Sequence, residues 1–389
     1  MGTHAAPVPT TTIAERVGEL VRIPSVNPGQ AGPRSGDDGE RALSAWLADR
    51  ADGLGADVTV HEIVDGRANV YARFEGESDR VVTVDVHLDT VGVEHMTDDP
   101  FDGRIEDGRV YGRGSVDTKA SLALVLTVLE ELKAEGKRPV PTVNLVGTIS
   151  EEMGGLIGAT GYRDWLDAHG SRIDQLVVAE PTSCAPVHGH KGGLGLEVTI
   201  RGHAAHSSKP HLGANAISAA GRIVVAIDAE QERLAGLTAS TAVGNGTVSV
   251  NEIEGGLARN IIPDCCTLYA GRRIAPGEDP DTVFEQLRVL MERAASPLSI
   301  EVILANGFGS AAFYQDPDTP LVQLLCELAG AEPDVATYGS NALRYPDIAD
   351  EIVVFGPGSI DQAHQAVEWI DLTEIERATD IYRTWFRSA

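Results

Sequence analysis

Two histidines and five carboxylates, scattered from position 87 to position 364, have the types and placement for metal-assisted hydrolysis. His87 and Asp89 end the β-branched run VVTVDVHLD, and Asp117 stands in YGRGSVDTKA just before a long helical pattern. Glu151 and Glu152 follow VNLVGTIS, Glu180 follows QLVVA, and His364 closes VVFGPGSIDQAH. Imidazole and carboxylate without thiolate suit zinc, with cobalt or manganese as alternatives. Three carboxylate ligands set against two divalent ions leave one positive charge, which a hydroxide neutralises. Such a site lowers the pKa of its water toward ~7 and supplies a nucleophile at neutral pH. Residues two apart on a strand share a face, so Asp89 is placed to take the second N–H of a metal-bound His87. Adjacent glutamates leaving a strand point in different directions. One can bind metal while the other takes a proton, its own proton affinity raised by its neighbours.

The elements that must hold these residues alternate. TTTIAERVGELVRI and GDDGERALSAWLADRADGLG read as helices, and DVTVHEI, ANVYARF and VVTVDVHL as strands. A Gly- and Asp-rich loop follows over 92–116. KASLALVLTVLEELKAEG is a helix, PTVNLVGTIS a strand, GATGYRDWLDAHG a helix and DQLVVAE a strand. This predicts an α/β layer with a mostly parallel central sheet, and sites in such sheets gather beyond the carboxyl ends of the strands. Near His190 the pattern changes to β-α-β-β-α-β: GLGLEVTIRG, GANAISAAGRIVVAIDAE, GTVSVNEIEGG, CCTLYAGRRI, DPDTVFEQLRVLMERAA and LSIEVILA. That is the order of a ferredoxin-like α+β sandwich. The first pattern then resumes with TPLVQLLCELAG, EIVVFG and LTEIERATDIYRTWF. The expectation is a catalytic α/β domain over 1–189 and 308–389, interrupted by an inserted ferredoxin-like domain over 190–307.

The bulk properties narrow the function. The chain has 389 residues, is 42% hydrophobic and carries a formal charge of −27. That charge argues against a nucleic-acid or anionic-membrane surface. No apolar run reaches the length of a membrane span, and no signal peptide is evident at the start. The four cysteines form no CxxC, so a reducing cytoplasm is expected. The GPG of VVFGPGSIDQ lacks the third glycine and the acidic residue of a dinucleotide loop, and there is no GxSxG for a serine hydrolase.

The blocks DVHLDTV, GRGSVDTKA, SEEMGG, AEPTS and GPGSIDQAH, with GHAAHSSKP and RNIIPD, resemble the M20 family of co-catalytic zinc metallopeptidases and amidohydrolases in order and spacing. Within it the likeness is strongest to the acetylornithine deacetylase branch, then to succinyl-diaminopimelate desuccinylase. The resemblance implies a zinc-aminopeptidase-like catalytic domain with an inserted lid and dimerisation domain. It implies two metal ions, with Asp117 bridging, His87 and Glu180 completing one site, and Glu152 and His364 the other. Glu151 is then the general base and Asp89 the support of His87. His206 in GHAAHSS stabilises the oxyanion, reaching from a partner subunit of a homodimer built through the inserted domain, and Asn260 in RNIIPD contacts substrate. Arg344 in YGSNALRYP or Arg273 in RRIAPG is expected to meet the substrate carboxylate. The expected reaction is hydrolysis of a small N-acyl amino acid, as in arginine biosynthesis. Desuccinylase, aminoacylase, carboxypeptidase and dipeptidase are the alternatives, and a non-catalytic metal-binding relative is the rival from another class. Simpler roles exist too: Asp117 could cap the following helix, His206 close a turn, and Arg344 form a surface ion pair. His95, His188, His190, His203 and His211 are expected to be structural or solvent-facing.

Overall fold

A computed structural model describes residues 7–36, 39–153 and 155–388. Residues 1–6 at the chain start, Asp37 and Asp38 of the expected second helix, and Gly154 of the SEEMGG block lie outside the described residues. In chain order the main elements are α1 (Thr10–Val21), α2 (Arg41–Leu54), β1 (Asp57–Val64), β2 (Arg67–Phe74), β3 (Val81–His87), α3 (Ala120–Ala134), β4 (Thr142–Thr148), α4 (Ile157–His169) and β5 (Ile173–Val178). Then come β6 (Gly192–Arg201), α5 (Ala216–Ala235), β7 (Thr247–Gly255), β8 (Cys265–Ile274), α6 (Pro280–Ala295) and β9 (Ser299–Ser310). The chain closes with α7 (Pro320–Ala329), β10 (Ala349–Val354) and α8 (Leu372–Phe386). Among the described residues no helix is long and apolar enough to cross a membrane.

The chain divides into two compact units. The first comprises residues 1–188, 315–334 and 340–389. Its sheet runs β1-β2-β4-β3-β5-β10, antiparallel over the first three strands and parallel from β4 to β10. The chain leaves β3 for β4 on one side and then crosses to β5 on the other. The switch point of the parallel strands therefore lies at β3, where a crevice opens beyond the carboxyl ends. On β3, Val82, Val84 and Val86 share one face while Thr83, Asp85 and His87 share the other, and from Val82 onward the strand is buried. The α3 helix is buried on nearly all sides, which its ASLALVLTVL sequence requires, and packs against α1 and α8. The expected loop at 92–116 contains the short strands Ile105–Glu106 and Arg109–Tyr111, the second pairing with Trp369–Asp371. Two- and three-residue strands carry too little periodicity to be read from sequence.

The second unit comprises residues 189–314 and 335–339. Its antiparallel sheet runs β7-β8-β6-β9, and α5 and α6 pack on that sheet and on each other. In order of appearance this is 2-3-1-4, a ferredoxin-like sandwich. Its core joins Leu194, Leu196, Val198 and Ile200 of β6 to Ile223 and Ile227 of α5 and Leu287 and Met291 of α6. The return to the first pattern was expected at 308. Instead β9 stays paired to β6 through Gly309↔Leu194 and Ser310↔Gly193, because the register resumes after an irregularity.

Candidate metal centre

The carboxyl ends of the parallel strands deliver the expected residues to one rim of the first unit. His87 is the last residue of β3 and is buried. Its Nδ1 lies 2.9 Å from the backbone carbonyl of Asp89. A carbonyl only accepts, so Nδ1 carries a proton and Nε2 is the atom turned outward, where a neutral imidazole would offer its lone pair to a metal. That Nε2 is 2.9 Å from Asp117 Oδ1, while Asp117 Oδ2 is 3.2 Å from His364 Nε2. His364 Nε2 in turn lies 3.1 Å from the Glu152 carboxylate. Asp117 thus faces one histidine with each of its oxygens. His87, Asp117 and Glu152 offer ligand atoms within 4.8 Å of one another, and so do His87, Glu151 and Glu180. Glu180 Oε1 is buried with no hydrogen-bond partner.

The electrostatics of this cluster are those of several carboxylates crowded together out of water. Burial raises the carboxyl of Glu180 well above its usual range, with Glu151 adding to the effect. Burial raises Glu151 in the same way, as do the charges of Glu152, Asp89 and Asp117, against the opposing pull of His87. Glu152 is raised by burial and by Asp117. Burial works to raise Asp117 too, but hydrogen bonds and charge from His364 and His87 hold it well below the ordinary carboxylate range. His364 is pushed up to about 10 by its hydrogen bonds to Asp117 and Glu152. When both histidines are neutral the converging atoms are all acceptors, so only protons or cations can hold them together. Two divalent ions fit this donor set of imidazole nitrogen and carboxylate oxygen.

Asp89 departs from its expected role. Its carbonyl, not its carboxylate, takes the His87 N–H, and the nearest carboxylate oxygen is 3.8 Å from Nδ1. The carboxylate is engaged elsewhere. It accepts the backbone N–H groups of Glu151 and Glu152 at 3.0 Å each and Asn27 Nδ2 at 2.8 Å. Three donors leave little of the carboxylate free for an imidazole. Asp89 therefore shapes the Glu151–Glu152 turn directly and His87 through its main chain.

Several supporting residues escaped the sequence reading. The turn before α3 that holds Asp117 is fixed by buried Glu368, whose Oε1 accepts the N–H groups of Val116 (3.1 Å) and Asp117 (3.4 Å). Arg113 forms a buried ion pair with Glu368. Burial pushes the Glu368 carboxyl up to about 7 against the lowering pull of Arg113. Asp85, wholly buried two residues before His87, accepts from Thr148 Oγ1 (2.8 Å), Asn341 Nδ2 (2.9 Å) and the Tyr345 hydroxyl (2.8 Å). It thereby anchors the turn that carries Arg344, and Arg344 Nη2 reaches the Gly155 carbonyl at 3.4 Å. Arg344 is half-buried, and burial with the nearby charge of Arg163 lowers its pKa. The polar face Thr83-Asp85-His87 on an otherwise apolar strand was the available signal for Asp85. Glu368 left none.

His206, Asn260 and Arg273 belong to the second unit and are exposed. His206 lies on a two-residue strand, Ala205–His206, paired with Ile261–Ile262, and its Nδ1 is 2.7 Å from Ser208 Oγ. The Ser207 N–H donates to the Asn260 carbonyl at 2.9 Å, so His206 and Asn260 are neighbours. Arg273 sits near the far end of β8, opposite Thr247 and Gly193.

A cage of imidazole and carboxylate at the switch point of a parallel sheet marks a hydrolase of the metallopeptidase and amidohydrolase class. The profile of peptidase family M20/M25/M40 matches residues 83–388, and the chain belongs to that family. An acetylornithine deacetylase from Myxococcus xanthus is 32% identical over 306 residues, 75% of each chain. A probable carboxypeptidase from Aspergillus clavatus is 30% identical, covering 95% of this chain and 87% of its own. Among solved structures, a Bacillus subtilis protein described as a dinuclear metal-binding M20 peptidase matches 97% of each chain with a TM-score of 0.70 at 15% identity.

Proposed function

We propose that this M20 hydrolase is a zinc-dependent deacylase of N-acyl amino acids, of acetylornithine deacetylase type, working in the cytoplasm as a homodimer. The observation that carries the metal-dependent part is Asp117, whose two carboxylate oxygens face His87 and His364 separately. His87 and Glu180 would hold one ion, Glu152 and His364 the other, with Asp117 between them. Bound zinc would acidify water and polarise the scissile carbonyl. Glu151, not needed as a ligand in this set, takes the proton of the attacking water and delivers it to the leaving nitrogen. Its buried, acid-rich surroundings raise its proton affinity toward what a general base requires. His206 is proposed to steady the oxyanion and Asn260 to contact substrate. Acetylornithine as substrate rests on the names of relatives near 30% identity. A second reading is a carboxypeptidase, supported by the name of a relative 30% identical over 95% of this chain. In either reading the half-buried Arg344 beside the Gly155 carbonyl is proposed to grip the substrate carboxylate.

The test joins metal analysis to a substrate panel of N-acetylornithine, N-succinyl-diaminopimelate, N-acetylmethionine and dipeptides. Two zinc equivalents per chain and fastest turnover of N-acetylornithine are expected, with activity lost to chelator and restored by zinc. Glu151→Gln should keep both metals and lose turnover by roughly 10²–10⁴-fold. Full activity after exhaustive chelation would overturn the metal-dependent reading.

A further inference from the structure

We infer that Glu40, paired with Arg67, is a positioning residue that fixes the turn aiming Glu151; the inference rests on reading Glu151 as the base. Glu40 immediately precedes α2, yet its side chain makes no capping hydrogen bond to that helix. The carboxylate is wholly buried and turns instead toward β2 and the catalytic turn. Arg67 Nε donates to its Oε2 at 2.7 Å, and Arg67 Nη2 donates both to its Oε1 and to Ser150 Oγ. The same Oε1 accepts the Ser150 backbone N–H at 3.2 Å.

Ser150 is held at φ +59°, in the left-handed region that is costly for a residue bearing a Cβ. A buried ion pair is a poor source of net stability, because desolvation offsets its attraction. What this pair supplies is a fixed acceptor for the amide of a strained residue. The next two amides, of Glu151 and Glu152, are bound to the Asp89 carboxylate. Three successive N–H groups thus end on two buried carboxylates that approach from different elements. With Asp89 alone the turn keeps a hinge at Ser150, and Glu151 can swing about it. Glu40 and Arg67 are not among the residues proposed to bind metal, so their effect on turnover separates from metal content.

The experiment compares wild type with Glu40→Gln, Glu40→Leu and Glu151→Gln. Each is loaded with zinc, assayed on the best substrate of the panel and analysed for metal. Hydrogen–deuterium exchange is followed on the metal-free proteins in the 148–155 segment, with α3 as internal reference. Gln keeps an oxygen for the Ser150 amide but loses the charged fork with Arg67, whereas Leu loses both. Misplacement of a reacting group by about 1 Å can cost about 10²-fold. On that scale kcat should fall about tenfold in Glu40→Gln and about a hundredfold in Glu40→Leu. KM and metal content should hold, and exchange should quicken at 148–155 but not in α3. Wild-type kcat and exchange in Glu40→Gln overturn the inference. So does exchange that quickens equally in α3, which marks general loosening. If Glu40→Leu does not fold, Glu40→Gln alone decides. A fully active Glu151→Gln removes the role of Glu151 as base, while the exchange data still decide whether Glu40 fixes the turn. An inactive Glu151→Gln beside a normal Glu40→Gln removes only the role of Glu40.

Discussion

In the first unit Glu40, Asp85, Asp89 and Asp117 are withdrawn from solvent, and their polar partners come from distant parts of the chain. In the second unit His206, Asn260 and Arg273 stand exposed, and His206 is steadied by Ser208, two residues on. The difference lies in the cost of a charge. A buried carboxylate must be satisfied by several fixed donors or by a cation, so each withdrawn group dictates where its partners stand. The first unit therefore has one arrangement in which all are satisfied, and removing any member should be expensive. An exposed group is satisfied by water, and its loss should leave the fold nearly untouched.

The largest expected effect of breaking that contrast is at Asp117. Asp117→Asn keeps the shape but loses the charge shared between the histidines. It should lower zinc occupancy below two per chain and turnover by about 10³-fold or more, since an ion-activated nucleophile supplies much of the rate. Two zincs retained with near-normal turnover would show that Asp117 need not be charged. Arg113→Met comes next. Removing one partner of a buried pair costs about 3–5 kcal/mol, read from denaturant melts of the metal-free protein. The sign with pH follows from Glu368. Its folded pKa, raised to about 7, lies above its unfolded value, so charging it costs stability as pH rises through that range. Without Arg113 the deficit against wild type should grow between about pH 6 and 8. A deficit independent of pH would mean Glu368 stays neutral in both proteins.

A smaller effect concerns protons. His364, held at about 10 by Asp117 and Glu152, is charged in the metal-free protein at neutral pH. A ligand imidazole must be neutral, so zinc uptake must expel that proton, and affinity should climb as pH rises toward 10. Calorimetry of zinc binding in two buffers of different ionisation enthalpy measures the release. Binding without release would show His364 neutral beforehand.

Legibility in the sequence follows the same division. Strand ends can be read from apolar periodicity, so the delivery of His87, Glu151, Glu152, Glu180 and His364 to one rim was visible in the order of elements. The ferredoxin-like order was visible for the same reason, because α5, α6 and the long strands carry clear periods. The pairing of buried charges was not visible. Arg113 and Glu368 are 255 positions apart, and Asp85 and Tyr345 are 260 apart. A carboxylate destined for a buried network looks in sequence like a solvated one. Asp89 shows a subtler limit. Its position two residues after His87 is readable, but whether carbonyl or carboxylate meets the imidazole depends on Asn27 and the Glu151–Glu152 amides, which local spacing cannot place.

Two arginines set the contrast within one residue type, and here the smallest effect on stability is expected. Arg273 is exposed on β8, and Arg273→Ala should change stability by no more than about 0.5 kcal/mol. Arg344 is half-buried beside Gly155, on a turn anchored to Asp85, and its guanidinium has already lost part of its water. In such partly dry surroundings a bond to a substrate carboxylate is less screened by water. Such a charge-assisted bond is worth about 1.5–3 kcal/mol, so Arg344→Ala should lower kcat/KM by about 10–100-fold for substrates that retain the carboxylate. The corresponding amides should be far less affected. An exposed arginine exchanges water for substrate with less gain, so Arg273→Ala should lower kcat/KM less. The reverse order would place the carboxylate grip on the second unit, and unchanged values in both variants would remove arginine from substrate recognition.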